Sequence, residues 1–220
     1  MIDTHCHING RGDEYIAKIT ENAQKCGVNR FLCIGASGGR KTCEEAVELA
    51  QKYDHIWASI GIHPHDAKDH LDLSDVKDLF SKPKVVAVGE TGLDFFRDWS
   101  PVENQIQLFK EHIKLAKEIK KPLIIHCRDA KEEVFKILSE DDASSIGGVF
   151  HCYAEDAAFA EQLKEMNFLV SFTGNITFKK ATNIREAAKN IPLEQIMLET
   201  DAPYMAPEPF RGKESEPMHV

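Results

Sequence analysis

Eight short apolar runs alternate with amphipathic stretches along this chain, and that alternation restricts the fold more than any single motif does. The runs cover residues 2–6, 30–34, 56–62, 85–90, 123–127, 148–152, 168–172 and 195–199. Each has strand length and near-continuous apolar character, as strands buried on both faces require. Between them the spacing turns helical. Ile16, Ile19, Ala23 and Cys26 share one face before Gly27; Ala46, Leu49, Ala50 and Tyr53 share another, with Thr42 and Glu45 placed as a capping box. Val102, Ile106, Phe109, Ile113 and Ala116 form the clearest stripe. Ser100 stands there as N-cap, Pro101 at the first helical position, Glu103 as partner in a capping box, and Pro122 beyond the end. Val134, Ile137 and Leu138, then Phe159, Leu163 and Met166, then Ile184, Ala188 and Ile191 continue the series. Strands that alternate with helices pair in parallel, and eight of them close. The expected fold is therefore a single α/β domain over residues 1–220, a (β/α)8 TIM-type barrel. The tail departs from that pattern: Pro203, Pro207, Pro209 and Pro217 follow the eighth run with no helical stripe, so the helix that should cover the eighth strand is missing.

Lysine and arginine total 27 against 36 aspartates and glutamates, and the net charge of −9 argues against the broad basic footprint of a non-specific nucleic-acid binder. A nuclease remains compatible with that balance if its site holds divalent cations, whose charge dominates the local field. No apolar run approaches the ~20 residues that span a bilayer, and no leader pattern precedes the first run, so a soluble, cytoplasmic protein without a membrane partner is expected. The six cysteines lack Cys-x-x-Cys spacing. Cys6, Cys127 and Cys152 each follow a histidine where strand parity turns them under the helices, and buried reduced thiols fit better than disulfides.

In barrels of this type the working side chains sit at the C-terminal ends of strands. Here the first run ends on His5 and His7, the third runs into His63-Pro64-His65, the fourth ends on Glu90, the fifth on His126, the sixth on His151, and the eighth leads to Asp201. Alternation puts His5 with His7 on one face, Val86 and Val88 with Glu90, Ile124 with His126, Val149 with His151, and Met197 with Glu199 and Asp201. Six candidate ligands exceed what one tetrahedral ion takes, and a carboxylate can bridge two ions ~3.5–4 Å apart. His5, His7, Glu90 and Asp201 are expected to hold one divalent cation, and Glu90, His126 and His151 a second. Such a histidine-rich shell suits Mn²⁺, Zn²⁺ or Co²⁺. The stretch from Gly35 to Thr42 has the position of a phosphate loop, but Arg40 stands where the second required glycine belongs, and a turn into a capped helix is the better reading. No Gly-x-Ser-x-Gly elbow supports a serine hydrolase.

Six segments carry a family resemblance: Asp3-Thr4-His5-Cys6-His7, Gly61-Ile62-His63-Pro64-His65, Val88-Gly89-Glu90-Thr91-Gly92-Leu93-Asp94, Pro122 to Ala130 around His126-Cys127-Arg128-Asp129, Phe150-His151-Cys152-Tyr153, and Leu198-Glu199-Thr200-Asp201-Ala202-Pro203-Tyr204. In content and order they resemble the TatD family of metal-dependent deoxyribonucleases, within the amidohydrolase superfamily. The resemblance implies a barrel with a two-metal site that hydrolyses DNA phosphodiester bonds, commonly as an exonuclease. It carries the metal ligands onto His5, His7, Glu90, His126, His151 and Asp201 with none replaced, and it keeps Mg²⁺ among the candidate ions. Asp201 would also orient or deprotonate the attacking water, with Glu90 between the ions. His63 would contact the scissile phosphate or protonate the leaving oxygen.

Around that set the residues have two readings each. His65 is a substrate contact or a loop residue. Arg128 with Asp129 is a phosphate contact with its orienting carboxylate, or the start of a helix. Tyr153, with Phe95, Phe96, Trp99 and Tyr204, stacks bases or packs the rim. Arg211, with Lys179, Lys180 and Lys213, forms a basic rim or a solvated face. Glu199 shares the inward face of Asp201 and suits the support of a ligand histidine. Members of the family usually continue for another ~40 residues, enough for a last helix. The match at Arg211-Gly212-Lys213 breaks at Ser215, where the family usually has Asn. Apolar surface over strands one and eight is therefore expected: either the chain is a shortened form of a longer one, or self-association or a partner covers the seam. Two rival functions stand beside the nuclease: an amidohydrolase acting on a small ester, lactone or amide, and a metal-stabilised scaffold whose site is impaired by the short C-terminus.

Overall fold

The computed structural model describes residues 1–220. Eight parallel strands form one sheet in sequence order: β1 (Ile2–Cys6), β2 (Arg30–Gly35), β3 (Ile56–Ile60), β4 (Val85–Asp94), β5 (Leu123–Arg128), β6 (Gly148–Phe150), β7 (Phe168–Phe172) and β8 (Ile196–Leu198). Six α-helices surround them: α1 (Asp13–Lys25), α2 (Arg40–Lys52), α3 (Val102–Ile119), α4 (Lys131–Glu140), α5 (Ala157–Glu165) and α6 (Thr182–Asn190). The fold is the expected TIM-type α/β barrel, and as expected no α-helix follows β8. It departs from expectation once: the β3–β4 connection carries only short 3-10 turns, Pro64–Asp66 and Lys77–Ser81. No helix is long and apolar enough to cross a membrane.

Several boundaries differ from the sequence expectation, each for a local reason. β4 runs to Asp94 because Thr91 to Asp94 continue to pair with Ile125 to Arg128 of β5. β6 stops at Phe150: His151 N–H makes the last ladder bond, to Ile125 O of β5, and the next amide, Cys152 N–H, turns away to Glu199 Oε1. β8 stops at Leu198, after which Thr200 N–H donates to the Asp3 side chain. Neither expected capping box forms. Thr42 lies inside α2, whose N-cap is Gly39, and its hydroxyl donates to Gly39 O at 3.1 Å. Ser100 precedes Pro101, the N-cap of α3; its hydroxyl donates to His65 O and accepts from Lys68 N–H, so it braces the neighbouring loop instead.

The main core lies between strands and helices, while a smaller cluster of Ile34, Ala36, Ala87, Ile124 and Val149, joined by Leu32 and Met197, fills the lumen. Burying each large aliphatic side chain contributes ~1.5–3 kcal/mol, so the lumen is a plug and only its C-terminal mouth is free for polar groups. In β4 it is Ala87 that faces the lumen, whereas Val88 packs in the outer core and Val86 is partly exposed. The expected common face of Val86, Val88 and Glu90 is thus incorrect. A register shift between Val88 and Thr91 returns Glu90 to the interior. Gly89, at φ 144°, permits it: a Cβ there would lie 2.5 Å from Ile124 O.

β1 and β8 meet through side chains as much as ladder bonds. Asp3 accepts Thr200 N–H at 3.0 Å and the Thr200 hydroxyl at 2.6 Å, and burial pushes its carboxyl up to about 7. Asp201 N–H donates to His5 O at 2.9 Å and His7 N–H to Ala202 O at 2.6 Å. On the outside of this seam Ile2 and Leu198 stay 45% and 47% exposed. The Pro217–His219 turn packs on α1 rather than over them. All six cysteines are free; Cys6, Cys33 and Cys43 are buried, Cys127 and Cys152 only partly, and Cys26 is exposed.

Candidate metal centre at the barrel mouth

Glu90 sits at the centre of the mouth and sends its two oxygens to different sets of histidines. Oε1 lies 2.7 Å from His151 Nε2, 3.0 Å from His126 Nδ1 and 3.3 Å from His63 Nε2. Oε2 lies 3.5 Å from His5 Nε2 and 3.7 Å from His7 Nε2. Asp201 Oδ1 extends that second set, 3.4 Å from His7 Nε2 and 3.8 Å from His5 Nε2. Burial opposes the charge on Glu90, but His151, His63 and His126 outweigh it and hold the carboxyl well below its usual range. Asp201 is lowered in the same way, burial yielding to His7 and His5. In return His7, His126 and His151 are raised against their own burial by the carboxylates they face.

The wall formed by β4, β5 and the loop after β3 is anchored from behind. Asp94 Oδ2 lies 2.7 Å from His65 Nε2 and 3.1 Å from His126 Nε2, while Oδ1 accepts the Phe96 and Arg97 amides at 3.0 and 2.9 Å. His126 therefore presents Nδ1 to Glu90 with its other nitrogen fixed on a carboxylate, which is how ligating histidines are oriented. His63 Nδ1 accepts the His65 amide at 3.2 Å, which leaves the proton on Nε2, aimed at Glu90; burial pulls this imidazole down to about 4. Gln105 accepts Asp94 N–H at 2.9 Å and donates to Asp94 O and Ser100 O. His112 accepts Ile62 N–H at 2.9 Å and, from its other nitrogen, donates to Leu108 O at 2.8 Å. His63, His65 and His126 also stand close together, but both nitrogens of His63 and of His126 and the Nε2 of His65 already have protein partners.

The opposite wall is less complete. His5 Nε2 and His7 Nε2 are 3.2 Å apart, and the His5 ring stacks on His151 at 3.9 Å. The Nδ1 atoms of His5 and His151 are buried without a hydrogen-bond partner. His151 Nδ1 faces Glu199 Oε1 at 3.5 Å, an ion-pair separation, and Glu199 is itself held by Cys152 N–H and the Ser171 hydroxyl, both at 2.6 Å. Buried imidazoles that face one another and two carboxylates cannot all be matched by protons. Divalent cations would match them. The sets His5, His7, Glu90 and Glu90, His126, His151 each bring ligand atoms within 4.8 Å of one another, and nitrogen with carboxylate oxygen suits Zn²⁺, Mn²⁺ or Co²⁺.

Other candidates lie elsewhere. Tyr153 is not a substrate contact: it is buried, its hydroxyl donates to Asp156 O at 2.6 Å, and its ring packs edge-on against Phe172. Arg128 ends β5 at the rim and is steadied by the Phe96 ring, 3.9 Å from its guanidinium, not by Asp129, which leads into α4. Arg211 is exposed and lies over the Phe178 ring at 4.2 Å. The glycine-rich turn before α2 is no phosphate cradle, since Gly38 N–H already donates to Asp66 and Arg40 pairs with Glu44 and Asp78. Asp94 is the residue that sequence reasoning missed. It stands four positions beyond Glu90 and so shares its face once the strand continues, a signal hidden by ending β4 early.

Comparison with known proteins identifies the family. The family model for TatD related DNase matches residues 2–220. The metal-dependent hydrolase YabD of Bacillus subtilis is 43% identical over all of this chain and 87% of its own length. The 3'-5' ssDNA/RNA exonuclease TatD of a Rahnella species is 33% identical over 89% of this chain and 75% of its own. Among solved structures, the TatD homologue YJJV of Escherichia coli K12 superposes with a TM-score of 0.91 at 30% identity, covering 99% of this chain and 85% of that one. The chain belongs to the TatD-related DNase family of metal-dependent hydrolases.

Proposed function

We propose that this protein is a deoxyribonuclease that shortens single-stranded DNA from an end by hydrolysing phosphodiester bonds with two divalent cations. The observation that carries the proposal is the division of Glu90, one oxygen toward His126 and His151 and the other toward His5 and His7. A carboxylate so placed would serve as a ligand to each of two ions. In this reading His5, His7, Asp201 and Glu90 hold one, and Glu90, His126 and His151 the other. Such ions supply Lewis acidity at the phosphoryl oxygens and bring the pKa of bound water toward ~7. Asp201, buried beside His7 and held ionised by it, would receive the proton of the attacking water. His63 directs Nε2–H toward the space beside Glu90 and donates to a phosphate oxygen; being neutral, it is a hydrogen-bond donor rather than the acid for the leaving oxygen. Asp94 and Glu199 keep His126 and His151 aimed. The single-strand and end preference rests on the Rahnella relative's name.

The test is side-by-side turnover of a 5'-labelled single-stranded oligodeoxynucleotide and of small esters, lactones and amides, with Mg²⁺, Mn²⁺, Co²⁺ or Zn²⁺ and with chelator. Stepwise, metal-dependent shortening of DNA is expected. Turnover of the small esters and amides alone would overturn the nuclease reading.

A further inference from the structure

We propose that two aromatic walls flank the metal centre and seat a single nucleic-acid strand, with the bases on either side of the scissile phosphate stacking on Trp99 and Phe96 at one wall and on Tyr204 at the other. This deepens the nuclease reading and rests on it. Phe96, Trp99 and Tyr204 are 52%, 55% and 60% exposed. Aromatic rings left open at a functional mouth, rather than scattered over a surface, mark a binding face. Both walls touch site histidines. The Trp99 ring lies 4.4 Å from His65, whose ring is 4.3 Å from His63; the Tyr204 ring lies 6.0 Å from His7 on the opposite side.

The charges around these rings match a nucleic-acid backbone. Arg128 lies 3.9 Å from the Phe96 ring centre, and Arg97 sits between Phe96 and Trp99 at 5.1 and 5.4 Å. Neither guanidinium is engaged by a carboxylate, unlike Arg11 and Arg40, which pair with Glu214 and with Glu44 and Asp78. Rings alternating with uncommitted cations reproduce the alternation of base and phosphate along a single strand. That local arrangement also reconciles a net charge of −9 with a polyanionic substrate. A lipid surface would call for contiguous apolar area, and a duplex would hide the base faces that these rings offer.

Two measurements test the walls. The chain has two tryptophans, so Trp57→Phe leaves Trp99 as the sole reporter. Adding a hydrolysis-resistant phosphorothioate single strand with Mg²⁺ is expected to quench its emission, and unchanged emission at saturating strand counts against the proposal. Separately, Trp99→Leu and Tyr204→Leu are each expected to lower kcat/KM for an oligodeoxynucleotide about tenfold more than for methyl p-nitrophenyl phosphate, chiefly through KM. Equal loss on both substrates, or undiminished DNA cleavage by both variants, removes the walls while the nuclease reading stands. Failure of the wild type to cleave DNA while it hydrolyses the nitrophenyl ester removes the nuclease reading, and the walls with it.

Discussion

The two sides of the mouth use the same residue types and differ in what stands behind them. On the β4–β5 side His63 and His126 have both ring nitrogens matched, Asp94 holds His126 and His65, and His112 pins the amide before His63. On the β1–β8 side His5 Nδ1 has no partner and the inward nitrogens of His5 and His7 face each other at 3.2 Å. Burial is common to both, so burial does not separate a structural histidine from a ligand. The difference lies in whether protein groups alone complete the imidazole. By that criterion the first wall is preformed, and the second would be completed by an ion of the proposed centre.

Glu90 is the one side chain that both walls share, and its replacement has the largest expected effect. Glu90→Gln keeps the shape but removes the charge and one acceptor oxygen, and kcat/KM should fall on the order of 10³-fold with loss of bound metal from both sides. Metal analysis and single-strand cleavage report it; near wild-type turnover would break the picture of a shared bridge.

The next effect concerns the preformed wall's dependence on pH. His112 is fully buried, and burial lowers it from 6.5 to about 4, so it folds neutral. Above pH 6.5 it is neutral in both folded and unfolded chains and has no pH-linked effect. As pH falls from 6.5 toward 4 the unfolded chain binds the proton first, and stability is lost, by about 3 kcal/mol when the folded pKa is reached. Protonation also takes away the lone pair that accepts Ile62 N–H. Urea titrations at pH 7 and pH 5 should therefore show a smaller acid loss in His112→Gln than in the wild type at equal metal, even though the variant is weaker at pH 7. Parallel pH slopes would remove His112 as the wall's acid-sensitive anchor.

Asp94→Asn follows, with a smaller loss. The amide keeps two acceptor contacts with the Phe96 and Arg97 amides but weakens the hold on His126 and His65. Metal affinity at the Glu90, His126 and His151 position should fall ~10–100-fold, measured by competition with a chelating dye, while the β1–β8 side keeps its ion. Equal weakening of both positions would mean that the walls are not independent.

The barrel was legible because buried parallel strands leave continuous apolar runs, and the gathering of His5, His7, Glu90, His126, His151 and Asp201 at the mouth because each stands at or just beyond the C-terminal end of such a run. What stood behind that cluster was harder to read. Asp94 was hidden by a strand boundary, and boundaries depend on pairing partners distant in sequence, here Ile125 to Arg128. The face of β4 was misassigned because a register shift at Gly89 breaks simple alternation. Tyr153 looked like a rim aromatic, but the chain after β6 turns it into the core, where its hydroxyl finds Asp156 O. The absent helix after β3 has no such signal: Pro64 at the first position and His63 capping the His65 amide suit a helix start, yet only the 3-10 turn Pro64–Asp66 forms.

The smallest effect bears most directly on the contrast. If metal completes only the β1–β8 side, chelation should loosen the amides there before those across the mouth. Asp201 N–H and His7 N–H close the seam through His5 O and Ala202 O, and the side chains of the same residues are the metal's ligands in the proposed centre. On the other wall Ile62, His65 and Asp94 N–H donate to His112, His63 and Gln105, none of which needs an ion to stay in place. An ion present at 100 times its dissociation constant stabilises its bound form by ~2.7 kcal/mol, and only part of that reaches any one amide. Hydrogen exchange with and without chelator should accordingly speed up about tenfold at His7 and Asp201, ~1.4 kcal/mol of local opening, and within about twofold at Ile62, His65 and Asp94. Equal acceleration at both sets would show that metal organises the whole mouth, and the preformed wall would then be a product of the ion rather than of the fold.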